Sequence, residues 1–231
     1  TNRSEAHKIT EEALEVVRLD SETTLGRYPH QLSGGQLQRI MLARAFLLKP
    51  RLIVAAEPVS MIDASLRAIV LDIMIGLKEE FGISILYITH DLTTAFQIGD
   101  NIIVLYRGAV TEAGGVEEVV QEPKHPYTQL LVGSIPNPDP DHPWKAEDDA
   151  AFPNKRGEVH ACKFADRCPV AMEKCLHEDP PMYRTDNHRA VACFLYEGAD
   201  VISNDEMDAV FKTTGSLAGA SGNGDRAKEP A

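Results

Sequence analysis

A serine and two glycines at the predicted start of a helix form the first feature that could do chemistry. Ser33, Gly34 and Gly35 stand within "PHQLSGGQLQRIMLARAF", residues 29 to 46, and the helix predicted after Ser33 runs to Leu48. Free N–H groups and the helix dipole attract anions there, and glycines let a phosphate approach the main chain closely. The three residues alone also fit an ordinary serine cap with flexible glycines.

A carboxylate and an imidazole form the second candidate set. Glu57 follows the apolar stretch "RLIVAAE", and His90 ends the stretch "ISILYITH". A carboxylate at the carboxyl end of a strand can meet a ligand, whereas one in mid-strand would be an expensive buried charge. A single histidine at a strand end also fits a structural role.

Four cysteines in one short segment form the third set. Their pattern is C-x5-C-x6-C-x17-C, unlike the paired C-x2-C of structural zinc sites, and they are Cys162, Cys168, Cys175 and Cys193. Iron–sulfur clusters are held by four cysteine thiolates. Zinc, with His177 and His188 as spare ligands, and free buried thiols remain alternatives, while a reducing cytoplasm disfavours disulfides.

Alternating strands and helices are predicted to position these residues. A helix begins at Asp63 and ends at Gly82, residues 83–90 form a strand buried on both faces, and two strands meet at Arg107-Gly108. Such alternation predicts a mainly parallel sheet, whose ligands bind at the carboxyl ends of the strands. Seven prolines between residues 115 and 160 indicate a linker with a short helix near residues 128–133.

Charge and composition exclude several classes of protein. The net charge is -12 and the pI about 5.1, which argue against nucleic-acid binding. The longest apolar run is far shorter than the roughly 20 residues of a membrane-spanning helix, and the first residues do not resemble a signal peptide. We therefore expect a cytoplasmic protein, or one held on the cytoplasmic membrane face by a partner.

Three stretches, in order, resemble the motifs of ABC-type ATPases. Leu32-Ser33-Gly34-Gly35-Gln36, followed by Gln38-Arg39, resembles the signature motif; "LIVAAEPVSMID" resembles the Walker B strand and D-loop; "YITHD" resembles the switch-histidine segment. The resemblance implies an α/β fold, the C-terminal part of a P-loop ABC ATPase domain with a mainly parallel sheet, plus a small, loop-rich extension that contains the cysteines.

The resemblance also implies roles for individual residues. Glu57 would be the general base that polarises the attacking water, and His90 would contact the γ-phosphate. Ser60 and Asp63 would form the D-loop at a dimer interface. The signature residues would contact ATP and Mg²⁺ held by the P-loop of a second ABC ATPase subunit, and they are Ser33, Gly34, Gly35 and Gln36.

Two departures from the family pattern limit that expectation. Ala56 stands where the family has an aspartate that helps to hold Mg²⁺, and a methyl group cannot bind a cation. The 231 residues contain no Gly-Lys pair, so the phosphate-binding G-x-x-x-x-G-K-[ST] loop is not among them. We therefore expect this polypeptide alone to bind ATP weakly or not at all.

The segment "EPKHPYTQLLVGSIPNPDP", residues 122–140, resembles an extension of the ATP-binding subunits of oligopeptide and dipeptide importers, shared by nickel and sugar-oligomer importers. Some of these subunits carry a [4Fe-4S] cluster, which favours the cluster over zinc. The resemblance implies a peripheral place on the cytoplasmic membrane face, with permease subunits as partners and, indirectly, an extracytoplasmic substrate-binding protein.

The expected domain ranges follow from these motifs. Residues 1–115 are assigned to the ATPase part, 116–160 to the proline-rich extension, 161–197 to the four-cysteine segment and 198–231 to a disordered tail rich in Gly, Ala and Ser. Two other functions remain open: a catalytically silent structural or regulatory half-subunit, and a soluble ABC ATPase of the ribosome-recycling or DNA-repair kind.

Overall fold

The computed structural model describes residues 2–60, 62–135 and 161–211, and the chain divides into two compact units, 1–99 and 100–231. The first unit alternates helices and strands as predicted. Its elements are α1 Arg3–Val16, α2 Ser21–Thr24, α3 Gly34–Phe46, β1 Leu52–Ala56, α4 Ala64–Phe81, β2 Ser84–Ile88 and α5 Leu92–Ile98.

The core of the first unit lies between its helices and one face of β1. Val17, Met74 and Leu77 are almost completely buried there, together with Ile53 of β1. Helix α4 begins after Asp63 and ends at Gly82, which has the left-handed φ of 65° that glycine tolerates best. Both predicted ends of this helix are therefore confirmed, although the Asp63 side chain makes no capping hydrogen bond.

Strands β1 and β2 pair in parallel, with Val54 opposite Leu86, which confirms the predicted parallel pairing for this unit. The prediction that the second strand is buried on both faces is wrong. Leu86 and Ile88 are half exposed, as are Leu52 and Val54 on the same face of β1. Alternate residues of both strands pack into the core, and the other face carries apolar side chains that the unit leaves uncovered.

The second unit is built on an antiparallel sheet with the strand order β3-β4-β6-β5. Its elements are β3 Asn101–Tyr106, β4 Ala109–Gly115, α6 Val116–Gln121, α7 Pro126–Gly133, β5 Tyr183–Asp186 and β6 Arg189–Val191, with 3-10 turns at Glu173–Leu176, Phe194–Tyr196 and Asn204–Val210. The turn at Arg107-Gly108 is confirmed. A turn this short joins antiparallel strands only, so the predicted parallel pairing does not extend to this unit.

The segment that carries the cysteines is more regular than the predicted loop-rich extension. It contributes β5 and β6 to the sheet of β4. The expectation of disorder from residue 198 is wrong as far as residue 211, because Val210 is fully buried and packs against Ala190 and Ile202. Residues 212–231 and most of the predicted linker, 136–160, lie outside the described residues.

The remaining expectations for this unit have mixed outcomes. The short helix predicted within the linker is confirmed as α7. The first three predicted domain ranges, and the tail beyond residue 211, stay predictions, since compact units and family domains are different divisions of a chain. Within the described residues, none of the helices combines the length and apolarity needed to cross a bilayer.

Candidate functional site

The structure brings Glu57 and His90 together at the carboxyl ends of two paired strands. Glu57 follows β1 and His90 follows β2, and Nδ1 of His90 lies 2.7 Å from Oε1 of Glu57. The same Oε1 accepts a hydrogen bond from the His90 main-chain N–H at 3.2 Å. The His90 side chain is 81% exposed and that of Glu57 40%, so both groups face solvent and can meet a ligand.

The backbone at Glu57 accounts for the direction of its carboxylate. Glu57 has a φ of 49°, in the left-handed region that costs a non-glycine residue roughly 1–2 kcal/mol. Its N–H donates to the Ile88 carbonyl at 2.8 Å, which fixes the turn to the end of β2. Strain of this kind concentrates at functional sites, where the surrounding structure maintains it.

The electrostatics of the pair favour a charged imidazole. The hydrogen bond that His90 donates to Glu57 and the negative charge of that carboxylate raise the pKa of His90 above its ordinary value. In this arrangement the imidazole donates through Nδ1 and Glu57 accepts. A base and a donor in direct contact can move a proton and orient a polar substrate, which is general acid–base geometry.

The predicted D-loop residues lie next in the chain. Ser60 Oγ donates to the Glu57 carbonyl at 3.1 Å, and its position is therefore fixed relative to the carboxylate residue. Asp63 is the N-cap residue of α4, and its carbonyl accepts the hydrogen bond from Arg67 N. No hydrogen bond within the described part of the chain joins Glu57 or His90 to residues 33–36.

The predicted signature residues begin α3, and two of them cap it. Ser33 Oγ accepts from Gln36 N at 3.2 Å, while Gln36 Oε1 accepts from Ser33 N at 2.9 Å, which forms a capping box. Ser33 and Gly34 are exposed at this helix end. The N–H groups of a first helical turn lack partners within the helix, so this end can receive an anion.

Gly35 has a packing role that the sequence did not reveal. It is buried, and a Cβ atom at this position would lie 2.8 Å from Cδ1 of Leu66 in α4. A methyl group here would therefore displace the end of the Leu66 side chain, and glycine lets α3 and α4 approach without that shift. Gly34 is exposed and Gly35 is buried, and the expectation that both glycines contact a phosphate stays a prediction.

The described residues do not build a magnesium site by themselves. Ala56 ends β1 beside Glu57 and offers no oxygen ligand on its side chain. Within residues 2–60, 62–135 and 161–211, no group of three His, Cys, Asp or Glu side chains is arranged to hold a metal ion.

The four cysteines converge on one cavity of the second unit. Cys162, Cys168, Cys175 and Cys193 line it together with His125 and Phe164. All four are free thiols, and burial raises the pKa of Cys162 and Cys168 and that of Cys193 to about 11, which keeps these thiols protonated. The thiols are thus gathered, but in the described residues they do not form a metal-ligand set.

The His-Pro-Tyr stretch forms a buried structural junction. His125 is 2% exposed, and its Nδ1 accepts from Tyr127 N at 3.0 Å, which caps α7. Burial lowers the pKa of His125 to about 4, so the ring is neutral. The N–H groups of Lys124 and His125 donate to the carboxylate of Glu112, which is fully buried beside Arg189.

Sequence reasoning missed two residues next to Glu57 and His90. Asp91 caps α5 through Oδ1, which accepts from Thr93 N at 2.9 Å, and its Oδ2 pairs with Arg67 Nη1 at 3.0 Å. An aspartate ahead of "LTTAF" is a recognisable helix-start signal that could have identified the cap. Arg67, the partner of Asp91 on α4, has no such local signal.

Two family models match separate parts of the chain. The model described as ABC transporter matches residues 1–60, and the model described as Oligopeptide/dipeptide transporter, C-terminal region, matches residues 111–175. The first covers the signature helix and Glu57, and the second covers the His-Pro-Tyr stretch and three of the four cysteines.

Relatives with similar sequences carry matching names. The oligopeptide transport ATP-binding protein AppD of Bacillus subtilis (strain 168) is 39% identical over 196 residues, 84% of this chain and 60% of AppD. The oligopeptide transport ATP-binding protein OppF of Escherichia coli (strain K12) is 39% identical over 176 residues, 73% of this chain and 51% of OppF. The chain thus spans between half and two thirds of the length of these relatives.

Solved structures of ATP-binding cassettes are also similar. A cassette named MJ0796, solved as a dimer in a post-hydrolysis state with ADP and Pi, is 32% identical with a TM-score of 0.46, covering 50% of this chain and 49% of that one.

From the two family models and the named relatives, the chain belongs to the ATP-binding proteins of ABC transporters, in the group with the oligopeptide/dipeptide C-terminal region.

Proposed function

We propose that this chain carries the signature helix and the catalytic carboxylate of the energy-coupling ATPase subunit of a peptide importer. The observation that carries the proposal is the contact of Glu57 with His90 at the carboxyl ends of two parallel strands. Ligands of open α/β sheets bind at that edge. The names of the relatives, oligopeptide transport ATP-binding proteins, supply the substrate class.

The proposed chemistry uses the pair as base and positioning group. A water molecule attacks the γ-phosphorus, its proton passes to the Glu57 carboxylate, and the bond from phosphorus to the bridging oxygen breaks so that ADP leaves. His90, exposed and able to turn, donates from its ring to the γ-phosphate oxygens. Because Oε1 of Glu57 accepts two hydrogen bonds from His90 in the present structure, this contact must loosen before Oε1 takes the water proton.

The signature helix is proposed to act on ATP bound to a second subunit. Ser33 and Gly34 are exposed at the start of α3, which supports access from another polypeptide. The Gln36 side chain is engaged in the capping box, so in this state it supports the helix end rather than a ligand. The Ser33 hydroxyl and the first-turn N–H groups would contact the phosphate.

A fusion tests the proposal directly. The P-loop portion of a complete family member is joined ahead of this chain, and ATP binding and phosphate release are measured. We expect the fusion to bind ATP, to hydrolyse it poorly, and to gain activity when Ala56→Asp restores the missing ligand. Low-micromolar ATP binding by the 231-residue chain alone, or full activity of the fusion with Ala56 in place, would contradict the proposal.

The peptide-importer assembly is the wider part of this proposal. It comprises a second ABC ATPase subunit, permease subunits and an indirect extracytoplasmic substrate-binding protein, with this chain on the cytoplasmic membrane face. Co-purification with membrane permeases supports it. Recovery with ribosomes or DNA-repair complexes instead would favour the soluble ABC ATPase alternative.

A catalytically silent half-subunit is the second candidate, and Ala56 is the observation that favours it. Mixing the chain with a complete partner subunit distinguishes the two. If the chain supplies its signature helix, it raises ATP turnover by the partner, and Ser33→Arg removes the increase because the bulky cation fills the phosphate position. A silent half-subunit leaves turnover the same with either sequence.

For the cysteine cavity we propose a structural [4Fe-4S] cluster, with zinc as the alternative. The convergence of all four thiols on one cavity supports it, and because burial raises the pKa of Cys162, Cys168 and Cys193, metal binding must release protons from these thiols. Anaerobic purification with iron and sulfide analysis tests it. Four iron atoms per chain with a broad visible band support the cluster, stoichiometric zinc supports the alternative, and neither metal refutes both.

A further inference from the structure

We infer that Arg67 is a positioning residue that acts through Asp91 to hold His90 against Glu57. The catalytic importance of the Glu57–His90 pair rests on the proposed function, whereas the geometry of the inference and its test are independent of that function. Arg67 lies in the first turns of α4, just after the D-loop residue Asp63, so the proposed link joins the start of that helix to the switch histidine.

The two oxygens of the Asp91 carboxylate have separate tasks. Oδ1 accepts from the N–H groups of Thr93 and Thr94, at 2.9 and 3.4 Å, and so fixes Asp91 to the start of α5. Oδ2 accepts from Arg67 Nη1 at 3.0 Å. With both oxygens engaged, the carboxylate has one orientation, and the main chain on either side of Asp91 is fixed with it.

His90 is the residue immediately before Asp91, and its main chain is fixed on both sides. Asp91 N donates to Thr89 Oγ1 at 3.0 Å, and His90 N donates to Glu57 Oε1 at 3.2 Å. The ring of His90 is otherwise 81% exposed, with little packing to hold it. Its position opposite Glu57 therefore depends on this backbone segment, which Arg67 secures from α4.

The charges around His90 predict pKa changes of opposite direction for two possible roles of Arg67. Glu57 raises the pKa of His90 through their hydrogen bond, and Asp91 raises it further through its negative charge. If Arg67 only contributes charge, its removal takes away a nearby cation and leaves Asp91 unneutralised, so the pKa of His90 rises. If Arg67 positions His90, its removal weakens the contact with Glu57, and the pKa falls towards the ordinary value of about 6.5.

The experiment follows the His90 ring by NMR titration of the complete 231-residue chain, with the resonance assigned from the His90→Gln variant. Arg67→Met keeps the apolar stem and removes the guanidinium. The quantity to compare is the amount by which the His90 pKa exceeds its ordinary value. We expect Arg67→Met to reduce this excess by at least half and Arg67→Lys, which can still reach the carboxylate, to retain most of it. Far-UV circular dichroism verifies folding.

The matched control is Arg18→Met, which removes another ion pair to α4, Arg18 with Asp72 at 2.6 Å, without touching Asp91. It should leave the titration of His90 unchanged. An unchanged or higher His90 pKa in Arg67→Met overturns the inference. A His90 pKa that is not raised in the unsubstituted chain means instead that the Glu57–His90 contact itself is absent in solution, which counts against the proposed function.

Discussion

The two units contain the same pair of residue types in opposite settings. In the first unit Glu57 and His90 are exposed and contact each other directly, and the pKa of the histidine is raised. In the second unit Glu112 and His125 are buried, each bonded to main-chain groups, and the pKa of the histidine is lowered to about 4. Exposure, rather than residue type, separates a pair that can react from one that holds the chain.

The sheets differ in the same sense. The antiparallel sheet of the second unit is closely packed, and Val191 and Ala190 of β6 are fully buried. The parallel pair β1–β2 buries one face and leaves half-exposed apolar residues on the other. Parallel sheets are normally covered on both faces, so the outer face of β1–β2 has the surface of an incomplete core. In the second unit Ile103 and Leu105 of β3 are also half exposed, whereas the inner strand β6 is fully buried.

The largest expected effect is on the rate of ATP hydrolysis, which should depend on Glu57 but not on Glu112. In the P-loop fusion carrying Ala56→Asp, Glu57→Gln should lower the rate of phosphate release by about 100-fold or more, because it removes the proposed general base. ATP binding, measured by calorimetry, should persist. Glu112→Gln, a matched change in the second unit, should leave the rate per folded molecule within a factor of about two. Equal losses of rate in the two variants would remove the distinction.

The next largest expected effect is on the free energy of unfolding, and it compares Gly114 of the second unit with Gly35 of the first. A Cβ atom on Gly114 of β4 would lie 2.2 Å from the His188 carbonyl oxygen, a main-chain atom that cannot turn away, so Gly114→Ala should cost about 3 kcal/mol. At Gly35 the obstacle is the end of the flexible Leu66 side chain, and we expect at most about 1 kcal/mol.

Urea unfolding of both variants measures the difference. The double variant Gly35→Ala with Leu66→Ala should show a favourable coupling between the sites, because the shortened side chain no longer meets the new methyl group. A larger cost at Gly35 than at Gly114 would mean that the first unit is the less adjustable of the two.

The buried histidine predicts how stability changes with pH. Between pH 6.5 and about 4 the unfolded chain binds a proton at His125 that the folded chain does not, so stability decreases as the pH falls through this range. The contribution is about 3 kcal/mol. His125→Asn keeps an oxygen that can cap α7 but does not titrate, so it should flatten this part of the profile.

The test is the pH profile of the free energy of unfolding in urea, measured for the unsubstituted chain and for His125→Asn. The difference between the two profiles cancels the contributions of other titrating groups such as Glu112. For Glu112 burial raises the pKa, so its contribution decreases as the pH rises, in the opposite direction. Parallel profiles for the unsubstituted chain and His125→Asn would show that His125 is accessible to protons in the folded state.

Local signals predicted the elements well where the relevant residues are neighbours in sequence. The ends of α4 at Asp63 and Gly82 and the turn at Arg107-Gly108 each depend on a few adjacent residues. Glu57 and His90 could be paired because both end apolar strands, although 33 residues separate them. Such features follow from backbone preferences that one residue or turn determines.

The errors concern burial, which depends on residues distant in sequence. The apolar stretch 83–90 has the composition of a fully buried strand, but what covers its second face is not encoded within it. Cys175 and Val191 pack in a unit whose strands come from separate stretches of chain, so a segment rich in turns became part of a sheet. Nothing local identified Arg67 as the partner of Asp91.

The smallest predicted effect tests the uncovered face of the first unit. Valine and threonine have nearly the same shape, so Val→Thr measures the cost of placing a hydroxyl where a methyl group was. Val54 is 59% exposed, and Val54→Thr should change the free energy of unfolding by less than about 0.5 kcal/mol. Val191 is fully buried, and Val191→Thr should cost about 1–2 kcal/mol, since its hydroxyl loses water. If Val54→Thr costs as much as Val191→Thr in urea unfolding of the chain alone, the outer face of β1 is covered in solution, and the contrast between the exposed face of β1 and the buried strand β6 no longer holds.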